Sequence, residues 1–252
     1  MKNMQRIDQN IKNGDPWYVD PHLTQIDNRS TRRTISKRWS FILSAISDFQ
    51  KKNSKDNISI LDAGCGDGVN LKVLAGRPGT DVYGVDYNPL RLERVRKEFP
   101  DAKIMNADLT SLRLDKKFDV ILCSRVLEHI KEDEKVLKNL SGLLDNKGIL
   151  IVGVPNEGCF MARLRNNFFE PGIKKTTDHV NFYRESVIIQ KISRAGFMIE
   201  RKMYEGFFLP HQKLSSFLAS FNLGFELLNI LGNIFNGQAA GYYFQCTKRG
   251  YE

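Results

Sequence analysis

The clearest chemical pattern in the sequence is a glycine-rich segment, Leu61 to Gly68, which reads LDAGCGDG. Glycine lets the chain turn tightly and lets a ligand approach the peptide groups without meeting a Cβ. The segment follows a predicted strand and precedes a predicted helix, and free N–H groups at a helix start favour an electronegative ligand group. The pattern therefore predicts a ligand site at this turn.

Two aspartates at the ends of the next two predicted strands strengthen this prediction. Asp86 lies 24 positions after Asp62, where a carboxylate can accept hydrogen bonds from two ribose hydroxyls. Asp108, in Asn-Ala-Asp-Leu, is placed to accept a hydrogen bond from an adenine amino group. The three aspartates fall near the carboxyl ends of strands one, two and three, which is the crevice where open α/β sheets bind ligands.

Strands and helices must alternate to place these residues in that way. Between Ile58 and Pro155, short apolar runs alternate with helical patterns, which predicts a parallel sheet with helices on both faces. The predicted strands are 58–63, 82–85, 103–107, 118–123, 148–154, 197–204 and 241–247. The predicted helices after the glycine-rich turn are 69–76, 89–99, 131–144 and 184–195.

This arrangement resembles the class I S-adenosylmethionine-dependent methyltransferases. The loop reads GCGDG, not the GxGxxG of NAD-binding folds, and Asp62 at its start is typical of the methyltransferases. The resemblance also includes Phe118-Asp119-Val120-Ile121 and Val126-Leu127-Glu128-His129-Ile130. It covers residues 58–155 well and 178–196 more loosely. It implies an α/β enzyme with a seven-stranded Rossmann-like sheet and helices on both faces.

The resemblance also implies the cofactor, S-adenosylmethionine, with S-adenosylhomocysteine as its product. Gly64 and Gly66 would line the methionine part, Asp86 would hold the ribose, and Asp108 with Leu109 would flank the adenine. Ser124 or Arg125 would lie over the methionyl end. The implied cofactor-binding residues are Asp62, Gly64, Cys65, Gly66, Asp86, Tyr87, Asp108, Leu109 and Ser124.

Histidines are the candidate general bases, since a hydroxyl acceptor needs one and histidine is the commonest. His179 is preferred because an adjacent aspartate and two nearby aromatic residues suggest a tuned pocket, and His129 is the second candidate. Both also have a structural interpretation, at a helix start or cap. His211, Arg125 and Arg163 are assigned to acceptor binding, although His211 also suits a surface position.

A metal is not expected. Quinone-precursor O-methyltransferases carry Ser-Glu-x-x-Glu-His at the end of strand four, whose two glutamates and histidine resemble a magnesium site. This chain reads Ser124-Arg125-Val126-Leu127-Glu128-His129. Arg125 puts a cation where a hard metal would want an oxygen ligand.

The predicted domain spans residues 58–252, preceded by an arm and a basic amphipathic helix in residues 1–57. Segments 156–180 and 206–240 are expected on the acceptor side as lids or insertions. Arg163, Arg165, Lys174 and Lys175 in the first segment suit a phosphate-bearing acceptor.

The second segment is unusually apolar. Residues 214–235 hold 12 Leu, Ile or Phe and one charge, Glu226, with an apolar spacing that suits one helical face. The stretch is long enough to span a membrane but too polar. A helical lid or a dimer contact is favoured, and a surface that touches lipid or a lipid-like acceptor is the alternative.

Composition limits the function classes. The 252 residues are 41% hydrophobic and 27% charged, which is a globular composition and excludes low-complexity and disordered classes. Residues 1–20 contain no apolar run typical of a signal peptide. Four scattered cysteines without a CxxC pair suggest a reducing cytoplasm. The net charge of +9 favours anionic partners.

The sequence therefore predicts methyl transfer to a small-molecule or glycan/lipid-precursor acceptor, with oxygen favoured as the methylated atom. Val154-Pro155-Asn156 and Asp178–Phe182 resemble bacterial methyltransferases of surface-sugar and lipid pathways, which suggests polysaccharide biosynthesis. A nucleic-acid methyltransferase is one alternative, but Cys123-Ser124-Arg125-Val126 lacks an Asn/Asp-Pro-Pro-aromatic motif, so no nucleic acid is expected. A non-catalytic, cofactor-binding partner subunit is the other. The chain is expected to be a monomer or a homodimer.

Overall fold

Two central strands, β1 (Ile58–Ala63) and β4 (Phe118–Ser124), carry continuous apolar runs, and nearly all their residues are buried. Burial on both faces is typical of the inner strands of a parallel sheet. The computed structural model describes residues 8–21, 28–172 and 178–250.

The other strands are β2 (Thr80–Asp86), β3 (Lys103–Asn106), β5 (Leu144–Pro155), β6 (Phe197–Phe207) and β7 (Ala239–Lys248). The α-helices whose two ends both lie within the described residues are α1 (Pro16–Val19), α2 (Arg29–Asn53), α3 (Leu71–Leu74), α4 (Pro89–Glu98), α5 (Asp133–Leu143), α6 (Phe160–Leu164), α7 (Glu185–Arg194), α8 (Gln212–Ser220) and α9 (Asn222–Ile234). Short 3₁₀ or π turns occupy Leu127–His129, Arg165–Phe169 and Asn236–Gln238.

These strands form one seven-stranded sheet in the order β3-β2-β1-β4-β5-β7-β6. Strands β1 to β5 are parallel, and β7 runs antiparallel to both β5 and β6. The predicted Rossmann-like architecture is confirmed. The strand order reverses between β1 and β4, so the loops that follow these strands diverge and leave a crevice at their carboxyl ends.

Helices cover both faces of the sheet, as predicted. On one face, α2, α3 and α4 bury Ile42, Leu71 and Leu92 in one apolar cluster with β1 and β5. On the other face, α5 and α7 bury Leu137 and Ile188 in a second cluster. The sheet is thus the middle layer of three.

Helix α2 is the predicted basic amphipathic helix. Its Asn28 cap accepts a hydrogen bond from Ser30 N at 2.9 Å, and the chain leaves the helix at Ser54 in the left-handed region with φ 49°. Its apolar stripe is buried against the sheet. The helix is therefore part of the covering layer, and the domain boundary at residue 58 stays a prediction.

The insert between β6 and β7 folds into two helices, whereas the apolar spacing indicated one helical face. Helices α8 and α9 meet at Phe221, whose backbone is extended, and are bent by 118°. The corner is tight, because a Cβ at Gly224 would lie 2.3 Å from the Leu218 carbonyl oxygen. Among the described residues no single helix is long and apolar enough to span a membrane; only the bent pair together reaches that length and composition.

Candidate functional site

The glycine-rich loop leaves β1 through a backbone that only glycine adopts readily. Gly64 has φ 86°, and a Cβ there would lie 2.3 Å from Val126 Cγ2. The N–H groups of Gly64 and Cys65 both donate to the Val85 carbonyl, at 2.7 and 3.0 Å. The loop is thereby pinned to β2, next to the crevice between β1 and β4.

Asp86 at the end of β2 is held by the same loop. Its Oδ2 accepts from Gly66 N at 2.9 Å, and its Oδ1 accepts from Asn88 N at 2.8 Å. The Asn106 side chain donates to the carbonyls of Asp86 and Tyr87, at 3.1 and 2.8 Å. Because each carboxylate oxygen has further lone pairs, Asp86 is fixed in place and can still accept two ligand hydroxyls.

Asp62 lies beneath the loop as a buried carboxylate. Neither of its oxygens makes a well-formed hydrogen bond to the described residues. Burial raises the pKa of Asp62 to about 7, with a smaller contribution from Asp86 and an opposing one from the nearby amide of Asn70. Both carboxylate oxygens of Asp62 therefore lie behind the loop and away from solvent.

Asp108 and its neighbours form a further wall. Asp108 Oδ1 accepts from Thr110 N at 2.8 Å, which fixes the turn after β3, and Leu109 is buried. The Tyr87 hydroxyl donates to Asp8 at 3.0 Å and thereby contacts the N-terminal arm.

A single cavity of about 450 Å³ joins these walls. It is lined by eight of the nine predicted cofactor residues: Gly64, Cys65, Gly66, Asp86, Tyr87, Asp108, Leu109 and Ser124. The ninth, Asp62, does not line the cavity and is buried behind it. The structure therefore brings the predicted set together in one place.

The other end of the cavity holds two histidines, each paired with a carboxylate. His129 Nδ1 lies 2.9 Å from Asp178 Oδ1, and His179 Nδ1 lies 2.6 Å from Glu157 Oε2. The two imidazole rings contact edge to face, with centroids 4.7 Å apart. The aspartate adjacent to His179 in the sequence thus pairs with His129, while the partner of His179 is Glu157, which sequence reasoning missed.

The contacts within these pairs shift the pKa values of Asp178 and His179. Burial by itself raises the pKa of Asp178, but hydrogen bonds with His129 and Tyr18 outweigh it and lower this pKa to about 2. Burial opposes the charge on His179, but the hydrogen bond and the charge of Glu157 raise the pKa of His179 above its ordinary value. The protonated, imidazolium form of His179 is therefore favoured.

Glu128 is buried beside the two histidines, and its Oε2 has no hydrogen-bond partner among the described residues. One ligand atom each from Glu128, His129 and His179 lies within 4.8 Å of the others, close enough to hold a metal ion. Arg125, which we expected to oppose a metal, turns instead towards Glu205. The expectation of a metal-free site stays a prediction.

Two arginines complete this end of the cavity. Arg38 of α2 and Arg125, which follows β4, both form ion pairs with the buried Glu205 of β6. Arg125 has φ 61°, and its N–H donates to the Gly153 carbonyl at 2.8 Å. Two cations share one carboxylate, and the buried Nε of Arg125 has no hydrogen-bond partner among the described residues. The two guanidinium groups therefore line the cavity together with the carboxylates of Glu128 and Asp178.

Tyr18 of the N-terminal arm lines the cavity and was not predicted. Its hydroxyl donates to Asp178 Oδ2 at 3.0 Å, and its carbonyl accepts from Asn88 Nδ2 at 2.9 Å. Arg94 Nη1 donates to the Val19 carbonyl at 3.1 Å. The available signal was that Trp17 and Tyr18 are the bulky apolar pair in an otherwise polar segment.

Two predicted acceptor residues lie elsewhere. Arg163 is exposed on α6, and His211 caps α8 by accepting from Leu214 N at 3.4 Å; neither lines the cavity. Arg165 instead is buried and lies 3.5 Å from Glu157. Lys174 and Lys175 lie outside the described residues. The acceptor roles of Arg163 and His211 stay predictions.

Comparisons with known proteins agree with this geometry. A family model described as a methyltransferase domain matches residues 32–202, which is more than half of the chain. The chain is 31% identical over 102 residues to a probable S-adenosylmethionine-dependent methyltransferase of Mycobacterium tuberculosis, covering 40% of this chain and 37% of that protein. It is 31% identical over 121 residues to the ubiquinone biosynthesis O-methyltransferase of Pelagibacter ubique, covering 44% and 49%. The matches thus span less than half the length of these two relatives.

The fold is similar over the whole length to a crystal structure. Magnesium protoporphyrin IX methyltransferase from Synechocystis PCC 6803, with bound S-adenosylhomocysteine, superimposes with a TM-score of 0.63 at 19% identity, covering 98% of this chain and 100% of that one. The positive-φ loop, the hydrogen-bonded Asp86 and the buried Asp62 fit such a nucleoside ligand. The chain therefore belongs to the class I S-adenosylmethionine-dependent methyltransferase family, whose cofactor is S-adenosylmethionine.

Proposed function

We propose that this enzyme methylates an oxygen atom of a small, anionic acceptor, such as a phosphorylated or sugar-linked metabolite or a glycan or lipid precursor. One observation carries the proposal. The cavity that contains the predicted cofactor residues continues, without a break, to the two carboxylate-paired histidines and the two arginines. An acceptor bound beside the histidines would therefore adjoin the cofactor.

The cofactor supplies a methyl group that its sulfonium already activates, so the protein's main task is positioning. Asp86 would accept the ribose hydroxyls, and Asp108 with Leu109 would flank the base. Asp62, buried behind the cavity, would support the glycine-rich loop that lines it. Tyr18 of the arm is one wall of the same cavity.

His129 is the proposed general base. Asp178 accepts from its Nδ1, which leaves Nε2 as the proton acceptor for an acceptor hydroxyl. His179 was the first choice from sequence. Glu157, however, favours the protonated form of His179. Protonated His179 is better suited to donate a hydrogen bond to a negatively charged acceptor than to accept a proton.

The charge of the acceptor is inferred from the arginines. Arg38 and Arg125 share the carboxylate of Glu205, and both arginines line the cavity. Guanidinium groups bind carboxylate and phosphate oxygens with matched geometry. The surface-sugar pathway suggested by the sequence is compatible with such an acceptor and is part of the proposal, as is a cytoplasmic location.

The first experiment is calorimetric titration with S-adenosylhomocysteine on the wild type and on Asp86→Ala. We expect micromolar binding that the substitution weakens at least about tenfold, or about 1.4 kcal/mol. Asp81→Ala is the matched control, because Asp81 lies at the other end of β2 in exposed ion pairs with Lys103 and Lys116. Equal binding by Asp86→Ala and the wild type would contradict the cofactor assignment.

Methyl transfer is then measured as S-adenosylhomocysteine formed with sugar phosphates, nucleotide-sugars and carboxylate-bearing alcohols. His129→Ala should keep cofactor binding and lose transfer, since the hydroxyl would lack its base. Parallel assays with a chelator test the cluster of Glu128, His129 and His179 as a metal site. Transfer to neutral acceptors alone would refute the anionic acceptor while leaving the cofactor site intact.

A further inference from the structure

Helix α9 has two apolar faces, although packing on the sheet uses only one. Its inner face contacts β6 closely, since a Cβ at Gly232 would lie 2.6 Å from the Gly206 carbonyl, and Leu228 is buried there. The outer face carries apolar side chains at helical spacing: Leu223 (83% exposed), Leu227 (49%), Ile230 (55%) and Ile234 (64%). A helix at the surface of a globular protein normally shows polar residues on that side.

The apolar surface continues onto α8 and the corner. Leu214, Phe217 and Phe221 are 48%, 60% and 51% exposed, and the two phenylalanine rings contact each other with centroids 5.0 Å apart. We call these seven residues of α8, the corner and α9 the outer face of the insert. Contiguous exposed apolar surface of this kind marks an interaction site.

A neighbouring segment adds two exposed aromatic rings. Phe168 and Phe169 are 76% and 54% exposed. The next residue, Glu170, accepts a hydrogen bond from Gln212 N at the start of α8, at 3.0 Å. The segment that carries these rings therefore contacts the start of α8.

Basic residues border the outer face. Helix α2 contacts α8, and its first turns expose Arg29 and Arg32. Arg33 of α2 donates to the side chain of Asn222 and lies 5.9 Å from the ring centre of Phe225. Lys213 is exposed on α8. Against these four cations, Glu226 is the one acidic residue in the sequence of α8 and α9.

Apolar side chains bordered by cations match the chemistry of an anionic lipid surface, where the former enter the acyl boundary and the latter face the headgroup phosphates. A second copy of the chain fits less well. A two-fold contact would bring the same patch of both copies together, so that like charges face one another around the apolar centre. The net charge of +9 adds to that repulsion and favours an anionic membrane.

We propose that the outer face of the insert binds the surface of an anionic membrane, with α8 and α9 lying at the headgroup level and the cations of α2 and Lys213 on the lipid phosphates. The helices do not cross the bilayer in this arrangement, because β6 and β7 on either side of them pair in the same sheet. The inference is independent of the acceptor that the enzyme methylates.

The test is co-sedimentation of the full chain with vesicles of phosphatidylcholine, or of an equimolar mixture of phosphatidylcholine and phosphatidylglycerol. We expect binding to the mixed vesicles that L223D/I234D weakens about tenfold or more, because each charge would enter the apolar boundary. V187D/M198D is the matched control, since it adds the same charges at exposed apolar residues outside the insert. It should bind like the wild type.

A second set of variants tests how much the cations of α2 contribute to vesicle binding. R29A/R32A should weaken binding to the mixed vesicles, and K51A/K52A, exposed at the opposite end of the same helix, should not. Titration with S-adenosylhomocysteine checks that each variant is folded. Absence of vesicle binding, or equal binding by L223D/I234D and the wild type, would overturn the proposal. So would light scattering that shows a homodimer dissociated by L223D/I234D, since the outer face would then bind a second copy.

Discussion

At the scale of single residues, the pair formed by His179 and Glu157 gives a direct prediction. Glu157 stabilises the imidazolium of His179 through a 2.6 Å contact and raises its pKa. Glu157→Gln removes the negative charge, so the pKa of His179 should fall towards or below the ordinary value of about 6.5. Proton NMR of the histidine rings as a function of pH measures this, with Glu93→Gln on the exposed face of α4 as the control.

The same pair makes a pH-dependent contribution to stability. Because the pKa of His179 is raised in the folded state, its contribution is complete below about pH 6.5 and is lost as the pH rises through the raised value. The pKa of Glu157 is lowered: burial opposes this, but His179 and Arg165 outweigh it. Its contribution is complete above about pH 4.3 and is lost as the pH falls through the lowered value. If Glu157→Gln left the pKa of His179 unchanged, the stabilising contact assigned to His179 and Glu157 would be contradicted.

The ligand-facing residues of the cofactor half were predictable because they depend on local sequence. Asp86 and Asp108 follow apolar runs, and a residue at the end of a parallel strand has a known place at the sheet edge. The partners at the acceptor end were not predictable. Glu157 is 22 positions from His179, Glu205 is 80 from Arg125, and Tyr18 is 160 from Asp178. No local pattern encodes such contacts.

At the scale of elements, Glu205 connects three parts of the fold. It lies on β6 and pairs with Arg38 of α2 and with Arg125 after β4. Burial by itself raises the pKa of Glu205, but the two arginines outweigh it and lower this pKa. Glu205→Gln would leave two cations without their counter-charge, and we expect it to reduce the free energy of unfolding by about 3 kcal/mol.

Urea denaturation measures the effect. Glu200→Gln, an exposed residue on the same strand that accepts from Thr247 Oγ1, is the control and should change stability by less than about 0.5 kcal/mol. If Glu205→Gln were as stable as the wild type, the carboxylate would not be what joins α2, β4 and β6.

Element positions were predicted better than element ends. β1 agrees residue for residue, but β5 begins at Leu144 instead of residue 148, because Phe118 of β4 pairs with Leu144 before the register shifts. In the insert the difference is a bend that the sequence did not predict. Apolar periodicity does not reveal a bend. Gly224 permits the close corner, but the same helix contains a second glycine, so the presence of a glycine did not locate the corner.

At the scale of the whole molecule, ligand binding should be visible as stability. A ligand at one hundred times its dissociation constant adds about 2.7 kcal/mol if it binds only the folded state. For a chain of this size that corresponds to a rise of about 5 to 10 °C in the melting temperature. Scanning fluorimetry with S-adenosylhomocysteine measures it. Asp86→Ala at the same ligand concentration should show a smaller rise, and an equal rise would argue against the assigned site.

The overall fold followed from the order of strands and helices together with the family resemblance, whereas the acceptor end did not. Eight of the nine predicted cofactor residues lie on one continuous stretch of chain, from β1 to the turn after β3, and the ninth, Ser124, ends β4. The acceptor end is assembled from α1, α2, the turn after β4, the segment before α7, and β6. Its chemistry exists only after the whole chain has folded.

The N-terminal arm has a consequence for the timing of the reaction cycle. Asn88 and Arg94 donate to the main-chain carbonyls of Tyr18, Val19 and Asp20, and the side chains of Asp8 and Tyr18 form hydrogen bonds with Tyr87 and Asp178. Tyr18 is also a wall of the cavity, and its hydroxyl reaches Asp178. The spent nucleoside therefore loses part of its enclosure whenever the arm detaches. We expect the residence time of the product, and with it the turnover rate, to follow how often these few hydrogen bonds open.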